Sequence, residues 1–87
     1  MANIQSAIKR IRQSEKRRIH NRAVRSRMRT YIKRANTAIV TGDGAAEAVR
    51  AAISELDRAA QKGVIHPNSA ARHKSRLMQK LNAAQAQ

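Results

Sequence analysis

The side chains in this sequence that could take part in chemistry are mostly arginines and lysines, and they recur at the spacing of an α-helix. Arg22, Arg25 and Arg29 lie three or four residues apart, which places them on one face of a helix. Thirteen of the 19 basic residues are arginines, whose planar guanidinium group can bind a phosphate through two parallel hydrogen bonds. The pattern therefore predicts a surface that binds phosphate groups.

The charge of the chain is both large and unevenly distributed. The 87 residues carry 19 Lys and Arg against 5 Asp and Glu, for a formal net charge of +14. Residues 1–41 account for +11, residues 42–62 for −1 and residues 63–87 for +4. A solvated helix face usually mixes the two signs. This imbalance therefore indicates an anionic partner, with nucleic acid favoured over an anionic membrane surface.

No set of residues has the spacing of a catalytic or metal site. The chain has no cysteine, no Gly-rich phosphate loop and no Gly-x-Ser-x-Gly motif, which excludes disulfides, thiolate ligands and these nucleophile motifs. No two of His20, His66 and His73 have a ligand spacing such as His-x-x-x-His, so we interpret them as surface residues or nucleic-acid contacts. We expect no enzyme activity, no cofactor and no metal.

Three glycines and one proline divide the chain into three segments. Each segment is rich in helix-forming residues, and in none of them do apolar and polar residues alternate with the period of two that is typical of a strand. The sequence therefore predicts an all-α fold, a three-helix bundle formed by a single domain over residues 1–87. The helices are expected at about residues 4–40, 44–62 and 68–82.

The expected helix boundaries follow from residues that cap helices. Asn3, Asp43 and Asn68 each precede a helical segment and are the predicted N-caps. Gly42 and Gly63 directly follow the first and second helices, where glycine commonly ends a helix. We expect the third helix to fray in the Ala- and Gln-rich tail.

Each helix has an apolar face that can contribute to one small core. The core is expected to be thin, because the chain has no Trp or Phe and depends heavily on alanine. The apolar faces consist of Val24, Met28, Tyr31, Ile32, Ala35 and Ile39, then Val49, Ala52, Ile53, Leu56, Ala59 and Ala60, then Ala70, Ala71, Leu77, Met78 and Leu81. Glu55 falls on the polar side of the second helix, and Lys74 falls within the apolar face of the third.

The first half of the first helix is not expected to join this core. Its isoleucines at positions 4, 8, 11 and 19 align with one another, but their stripe is rotated by well over about 100° from the later apolar face. A helix of about 37 residues is also roughly 55 Å long, against about 28 Å for the second helix. The N-terminal half is therefore expected to overhang the bundle, frayed in the free protein and ordered when a partner binds.

The sequence shows no targeting segment. No apolar run reaches the roughly 18 residues that span a bilayer. Charges at Lys9 and Arg10 interrupt the apolar stretch that a secretory signal needs. We expect a mature, cytoplasmic chain.

Nucleic acid is the anionic partner that the side chains favour. Without Trp or Phe the chain has no platform for stacking bases, so we expect it to bind the backbone of folded or double-stranded nucleic acid. A DNA-binding, nucleoid-type protein that compacts DNA would use the same charges and is the first alternative. A membrane-surface amphipathic peptide is the second, although residues 4–22 offer only isoleucines as bulky apolar anchors.

Five stretches of the chain, taken in order and with Asn68 between the last two, form a specific set of motifs. They are Met1-Ala-Asn-Ile, Ser6-Ala-Ile-Lys-Arg-Ile-Arg-Gln-Ser-Glu-Lys-Arg-Arg, Asn21-Arg-Ala-Val-Arg-Ser, Lys62-Gly-Val-Ile-His, and Ala70-Ala-Arg-His-Lys-Ser-Arg-Leu. With them the chain closely resembles the bacterial small-subunit ribosomal protein S-twenty family, over essentially its whole length. The resemblance implies a structural component of the small ribosomal subunit that binds its ribosomal RNA directly, low on the body of the subunit, with the long first helix among RNA helices.

The resemblance also implies RNA contacts at the positions that match its motifs: Arg10, Arg12, Lys16, Arg17, Arg18, Asn21, Arg22, Arg25, Arg29, Arg72, Lys74 and Arg76. Short polar side chains on the basic helix are expected to donate to phosphates as well, namely Ser6, Ser14 and Ser26. The expected contacts also include Lys9, Lys33, His66, Asn68, His73 and Lys80. Gln5, Pro67 and Ser69 stand where the family commonly has lysine. The expected partner is ribosomal RNA within the ribosome, and we expect no stable homo-oligomer, no membrane and no small-molecule substrate.

Overall fold

The computed structural model describes residues 2–85, which form three α-helices. They are α1 (Ala2–Thr41), α2 (Ala45–Gln61) and α3 (Pro67–Gln85). The residues that the structure describes contain no strand. The predicted all-α architecture is confirmed, and each helix begins within about two residues of its predicted start. The third helix continues through part of the tail that was expected to fray.

Glycines follow α1 and α2, as the sequence predicts. Gly42 and Gly63 have φ angles of 78° and 76°, a conformation that side chains with a Cβ rarely adopt. The Gly63 N–H donates to the Ala60 carbonyl at 3.0 Å, and the Val64 N–H donates to the Ala59 carbonyl at 2.9 Å. This pair of bonds is a Schellman motif. It ends α2 and turns Val64 into the protein, where its side chain is buried.

The predicted N-caps of the first two helices are wrong. Asn3 lies inside α1, because that helix already begins at Ala2. Gly44, in the left-handed conformation, precedes α2 in place of Asp43, and among the described residues no side chain caps this terminus. The backbone N–H of Asp43 donates to the Thr41 hydroxyl at 3.4 Å.

The predicted N-cap of α3 is also wrong, because the helix starts one residue before Asn68. His66 caps it: its Nδ1 accepts the Asn68 N–H at 3.1 Å, and its carbonyl accepts the N–H groups of Ser69 and Ala70 at 3.0 and 3.2 Å. Pro67 occupies the first helical position, where a missing N–H costs nothing and the restricted φ suits the helix.

The core lies along α2, which packs against both other helices, while α1 and α3 contact each other less extensively. The buried residues that cluster there are Met28, Ala35, Val49, Ala52, Leu56, Ala59, Ala70, Leu77 and Leu81. All of them belong to the predicted apolar faces. Two residues of those faces, Ala71 and Met78, are exposed instead. Glu55, expected on the polar side of α2, is buried.

The N-terminal half of α1 extends beyond the bundle, which confirms the predicted overhang. Residues 3–20 are all exposed, and Val24 is the first residue of α1 that packs against the core. The molecule accordingly measures 68 Å along its longest axis and only 21 and 12 Å across. We call residues 2–23 the overhang. Its fraying in the free protein stays a prediction.

The position of the core can be tested by truncating Leu56. Leu56→Ala is expected to lower the free energy of unfolding by about 2–5 kcal/mol, because the side chain is fully buried and leaves a cavity. Met78→Ala removes a side chain of similar size that is 41% exposed and should cost less than about 1 kcal/mol. Chemical denaturation followed by circular dichroism measures both values, and equal costs would contradict the assigned core.

Hydrogen exchange tests the fraying of the overhang. In the free protein, backbone amides before about residue 20 are expected to exchange fast and those near Met28 slowly, because a helix without tertiary packing opens at little free-energy cost. Exchange read by mass spectrometry or NMR distinguishes the two segments. Uniform protection along α1 would show that the overhang is stable without a partner.

Candidate nucleic-acid interface

The overhang presents positive charge around most of its circumference. It contains neither Gly nor Pro, so nothing in its sequence interrupts the helix. Its basic residues project in several directions from the helix axis, and all of them are exposed in the structure: Lys9, Arg10, Arg12, Lys16, Arg17, Arg18 and Arg22. An anionic partner can therefore contact the overhang from more than one side.

Glu15 is the single acid of the overhang. Its Oε1 lies 3.8 Å from Nη2 of Arg18, one helical turn away, and both side chains are mostly exposed. An exposed ion pair of this kind contributes little to stability. Glu15 is therefore a partner in a helical salt bridge, and the overhang keeps its large excess of positive charge.

A shallow recess lies where the overhang meets the bundle. It is lined by Ser14, Arg17, Arg18, Asn21 and Arg25, all of them predicted RNA contacts. Nη2 of Arg25 also donates to the Val64 carbonyl at 3.4 Å, which ties this part of α1 to the turn between α2 and α3. The three guanidinium groups only donate hydrogen bonds, and the Ser14 hydroxyl and the Asn21 amide can donate as well as accept. The recess is therefore rich in donors suited to an anion.

A second group of predicted contacts lies along α3. Arg72, Arg76 and Lys80 are exposed at successive turns of one face. Nζ of Lys80 donates to Oδ1 of Asn36 at 3.3 Å, so this face reaches α1 at the C-terminal end of the bundle. The structure thus forms two basic surfaces, one along α1 and one along α3.

Lys74 has an internal partner. Its Nζ lies 2.9 Å from Oδ1 of Asp57 on α2, which explains how a lysine occupies the apolar face of α3. Of the predicted RNA contacts, Lys74, Asn21 and His73 are half-buried, and all the others are exposed. The role of each one toward RNA stays a prediction.

Sequence reasoning missed a charge cluster that joins α1 to α2. The carboxylate of Glu55 is buried, and its Oε1 lies 3.2 Å from Nε of Arg27 and 3.3 Å from Nη1 of Arg58. The guanidinium groups of Arg27 and Arg34 lie 5.7 and 5.5 Å from the centre of the Tyr31 ring, within the range of cation–π attraction.

Only part of this cluster leaves a signal in the sequence. Arg58 follows Glu55 by three residues, and Arg27 and Arg34 flank Tyr31 at one-turn spacings, which are helical neighbours. The contact between Arg27 and Glu55 joins two helices and has no local signal. The prediction that Tyr31 packs against the core is confirmed.

The charge of Glu55 also acts on the pKa of Arg27. Coulombic attraction to the Glu55 carboxylate, followed by the hydrogen bond between them, raises the pKa of Arg27 above its ordinary value. A raised pKa means that the charged form is favoured by folding, and this contribution is lost only when the pH rises through that raised pKa. Arg27 is therefore fully charged at neutral pH.

Residues 2–85 contain neither a cluster of metal ligands nor a helix suited to cross a membrane. Within residues 2–85, no group of histidine, aspartate and glutamate side chains is arranged to hold a metal ion. None of the described helices combines the length and the apolar character needed to cross a bilayer.

Comparison with known proteins identifies the family. The sequence model of ribosomal protein S20 matches residues 2–82 of this chain. The chain is 56% identical to the small ribosomal subunit protein bS20 of Alcanivorax borkumensis, over 99% of this chain and 100% of that protein. It is 59% identical to bS20 of Alkalilimnicola ehrlichii, over 98% and 99% of the two chains, and 52% identical to bS20 of Bacillus mycoides, over 95% and 100%.

The protein therefore belongs to the ribosomal protein S20 family. Membership confirms the resemblance seen in the sequence motifs. It also confirms the expectation of a structural ribosomal protein and not an enzyme.

The buried carboxylate that joins α1 to α2 can be tested with Glu55→Gln. The amide keeps the shape of the side chain but removes its charge, which leaves Arg27 and Arg58 facing a neutral group. We expect the thermal midpoint to fall by about 5 °C. Glu15→Gln, the same change in the exposed pair of the overhang, should shift it by less than about 1 °C. Thermal unfolding at neutral pH measures both, and equal shifts would contradict a structural role for Glu55.

Proposed function

We propose that this protein binds small-subunit ribosomal RNA directly and neutralises phosphates where several RNA helices converge, as part of the cytoplasmic small ribosomal subunit. The observation that carries the proposal is the overhang. It has seven basic residues against one acid, and its side chains are exposed along nearly its whole length. Relatives that share more than half of its residues are named small ribosomal subunit proteins.

The bundle acts as an anchor for the overhang in this proposal. The bond between Arg25 and the Val64 carbonyl sets the position from which the overhang leaves the bundle. The exposed face of α3, with Arg72 and Arg76, then provides a second surface for a neighbouring RNA backbone. Binding of the phosphates by arginine releases condensed counterions, which supplies a large part of the affinity.

We further propose that one copy of the protein acts alone. A net charge of +14 on 87 residues makes two copies repel each other in the absence of nucleic acid. The charge also explains why neither DNA nor RNA is excluded by electrostatics alone.

The proposal predicts a steep salt dependence that specific arginines control. The variant with both Arg10→Ala and Arg17→Ala is expected to bind a transcript of small-subunit ribosomal RNA at least about tenfold more weakly. The slope of log affinity against log salt should become shallower by roughly two, because two phosphate contacts are lost. Titrations over a series of salt concentrations measure both quantities.

Arg50→Ala provides the matched control. Arg50 is an exposed arginine of α2, outside both basic surfaces, so its loss should change affinity less than about twofold. Equal affinity of the unaltered protein for random duplex DNA and for the ribosomal RNA at moderate salt would support a DNA-compacting protein and overturn the proposal. Loss of affinity in the Arg50 variant equal to that in the double variant would also contradict it.

A further inference from the structure

An apolar stripe lies on the overhang and is not covered by any part of the protein that the structure describes. It consists of Ile4, Ile8, Ile11 and Ile19, which are 46–64% exposed. At about 100° per residue they fall within a sector of roughly 80° around the helix. Bulky apolar residues that share one face of a charged helix indicate a surface that a partner covers. We call these four residues the isoleucine stripe.

The isoleucine stripe continues into a basic ridge on the same face of α1. The ridge consists of Arg22, Arg29 and Lys33, which project from the same sector and are exposed. The buried residues Met28 and Ala35 lie on a sector rotated by roughly 150° from it, so this face points away from the bundle. A partner that lies along the face therefore meets apolar side chains at one end and basic ones at the other.

Charge selects the kind of partner that covers this face. A second copy of the protein would bring its own +14 against the ridge and be repelled. Arg12 and Arg18 lie on the two sides of the isoleucine stripe, where they can reach two separate lines of negative charge. Glu15, the one acid within the face, is paired with Arg18 at 3.8 Å. The partner must be anionic on both sides of a less polar centre.

We propose that the isoleucine stripe lies in the shallow minor groove of an RNA duplex, with the flanking arginines on the phosphates of the two strands. The proposal rests on the proposed function and names the RNA element and the helix face that meet. The minor groove of A-form RNA is wide and shallow and displays ribose 2′-hydroxyl groups and base edges; the C–H groups of the same riboses can pack against isoleucine.

This contact would discriminate between RNA and DNA, which the charges cannot do. The minor groove of B-form DNA is only about 6 Å wide, whereas an α-helix with its side chains is about 10–12 Å across. The isoleucine stripe can therefore be seated on an RNA duplex and not in the corresponding groove of DNA. Apolar contact is also independent of salt, unlike the contacts to phosphate.

The variant with both Ile8→Ala and Ile11→Ala tests the proposal. Alanine is the better helix former, so a loss of binding cannot be ascribed to a weaker helix. We expect affinity for a blunt RNA duplex to fall about tenfold with an unchanged salt slope, and affinity for the DNA duplex of the same sequence to stay constant. Gln13→Ala, on the opposite side of the overhang, should change either affinity less than about twofold.

The outcomes separate this inference from the proposed function. If the isoleucine variant binds RNA like the unaltered protein while the variant of Arg10 and Arg17 is weakened, the stripe meets something other than RNA, such as a protein surface, and the inference fails alone. The inference would also be overturned if the isoleucine variant lost as much affinity for the DNA duplex as for the RNA duplex. An equal loss of RNA affinity in the Gln13 variant would overturn it too. If the unaltered protein does not bind small-subunit ribosomal RNA, the proposed function fails.

Discussion

The structure depends on a mismatch of helix lengths. α1 has 40 residues, whereas α2 and α3 have 17 and 19. At about 1.5 Å per residue, roughly half of α1 must extend beyond any helix that could pack against it. An isolated helix gains little stability in water, and like charges along the overhang oppose compact packing. The extended form of α1 is therefore favoured where an anion lies against it.

Charge divides the chain into a nearly neutral part that packs and a strongly basic part that is exposed. The segment that contains α2 is nearly neutral, with a net charge of −1, and it supplies the acids that meet basic residues of the other elements. Glu55 receives Arg27 of α1, and Asp57 receives Lys74 of α3. In the overhang, the part of α1 that lies outside the bundle, Glu15 is the one acid. The same helix therefore contributes to a core at one end and presents an exposed, strongly basic surface at the other.

The two kinds of side chain on the overhang have different physical roles in binding. Arginine contacts with phosphate provide attraction that acts on any nucleic acid and weakens with salt. In the proposed interface the isoleucine stripe responds to the shape of the groove and not to its charge. The two kinds of contact would together let a small protein without a base-stacking platform distinguish an RNA duplex from a DNA duplex. This combination follows from a helix with an apolar and several basic faces in one exposed segment.

The sequence by itself determined the three helices, their apolar faces, the overhang and the excess charge of α1, because periodicity, glycine positions and composition are local properties. It misplaced the N-caps at Asn3, Asp43 and Asn68. The left-handed Gly44 precedes α2, α3 already begins at Pro67, and α1 already begins at Ala2. Only the tertiary structure decided that Glu55 is buried between two arginines and that Lys74 is paired. The pairs of Arg27 with Glu55 and of Lys74 with Asp57 each join two helices, and the energy of a charge depends on which groups surround it in space.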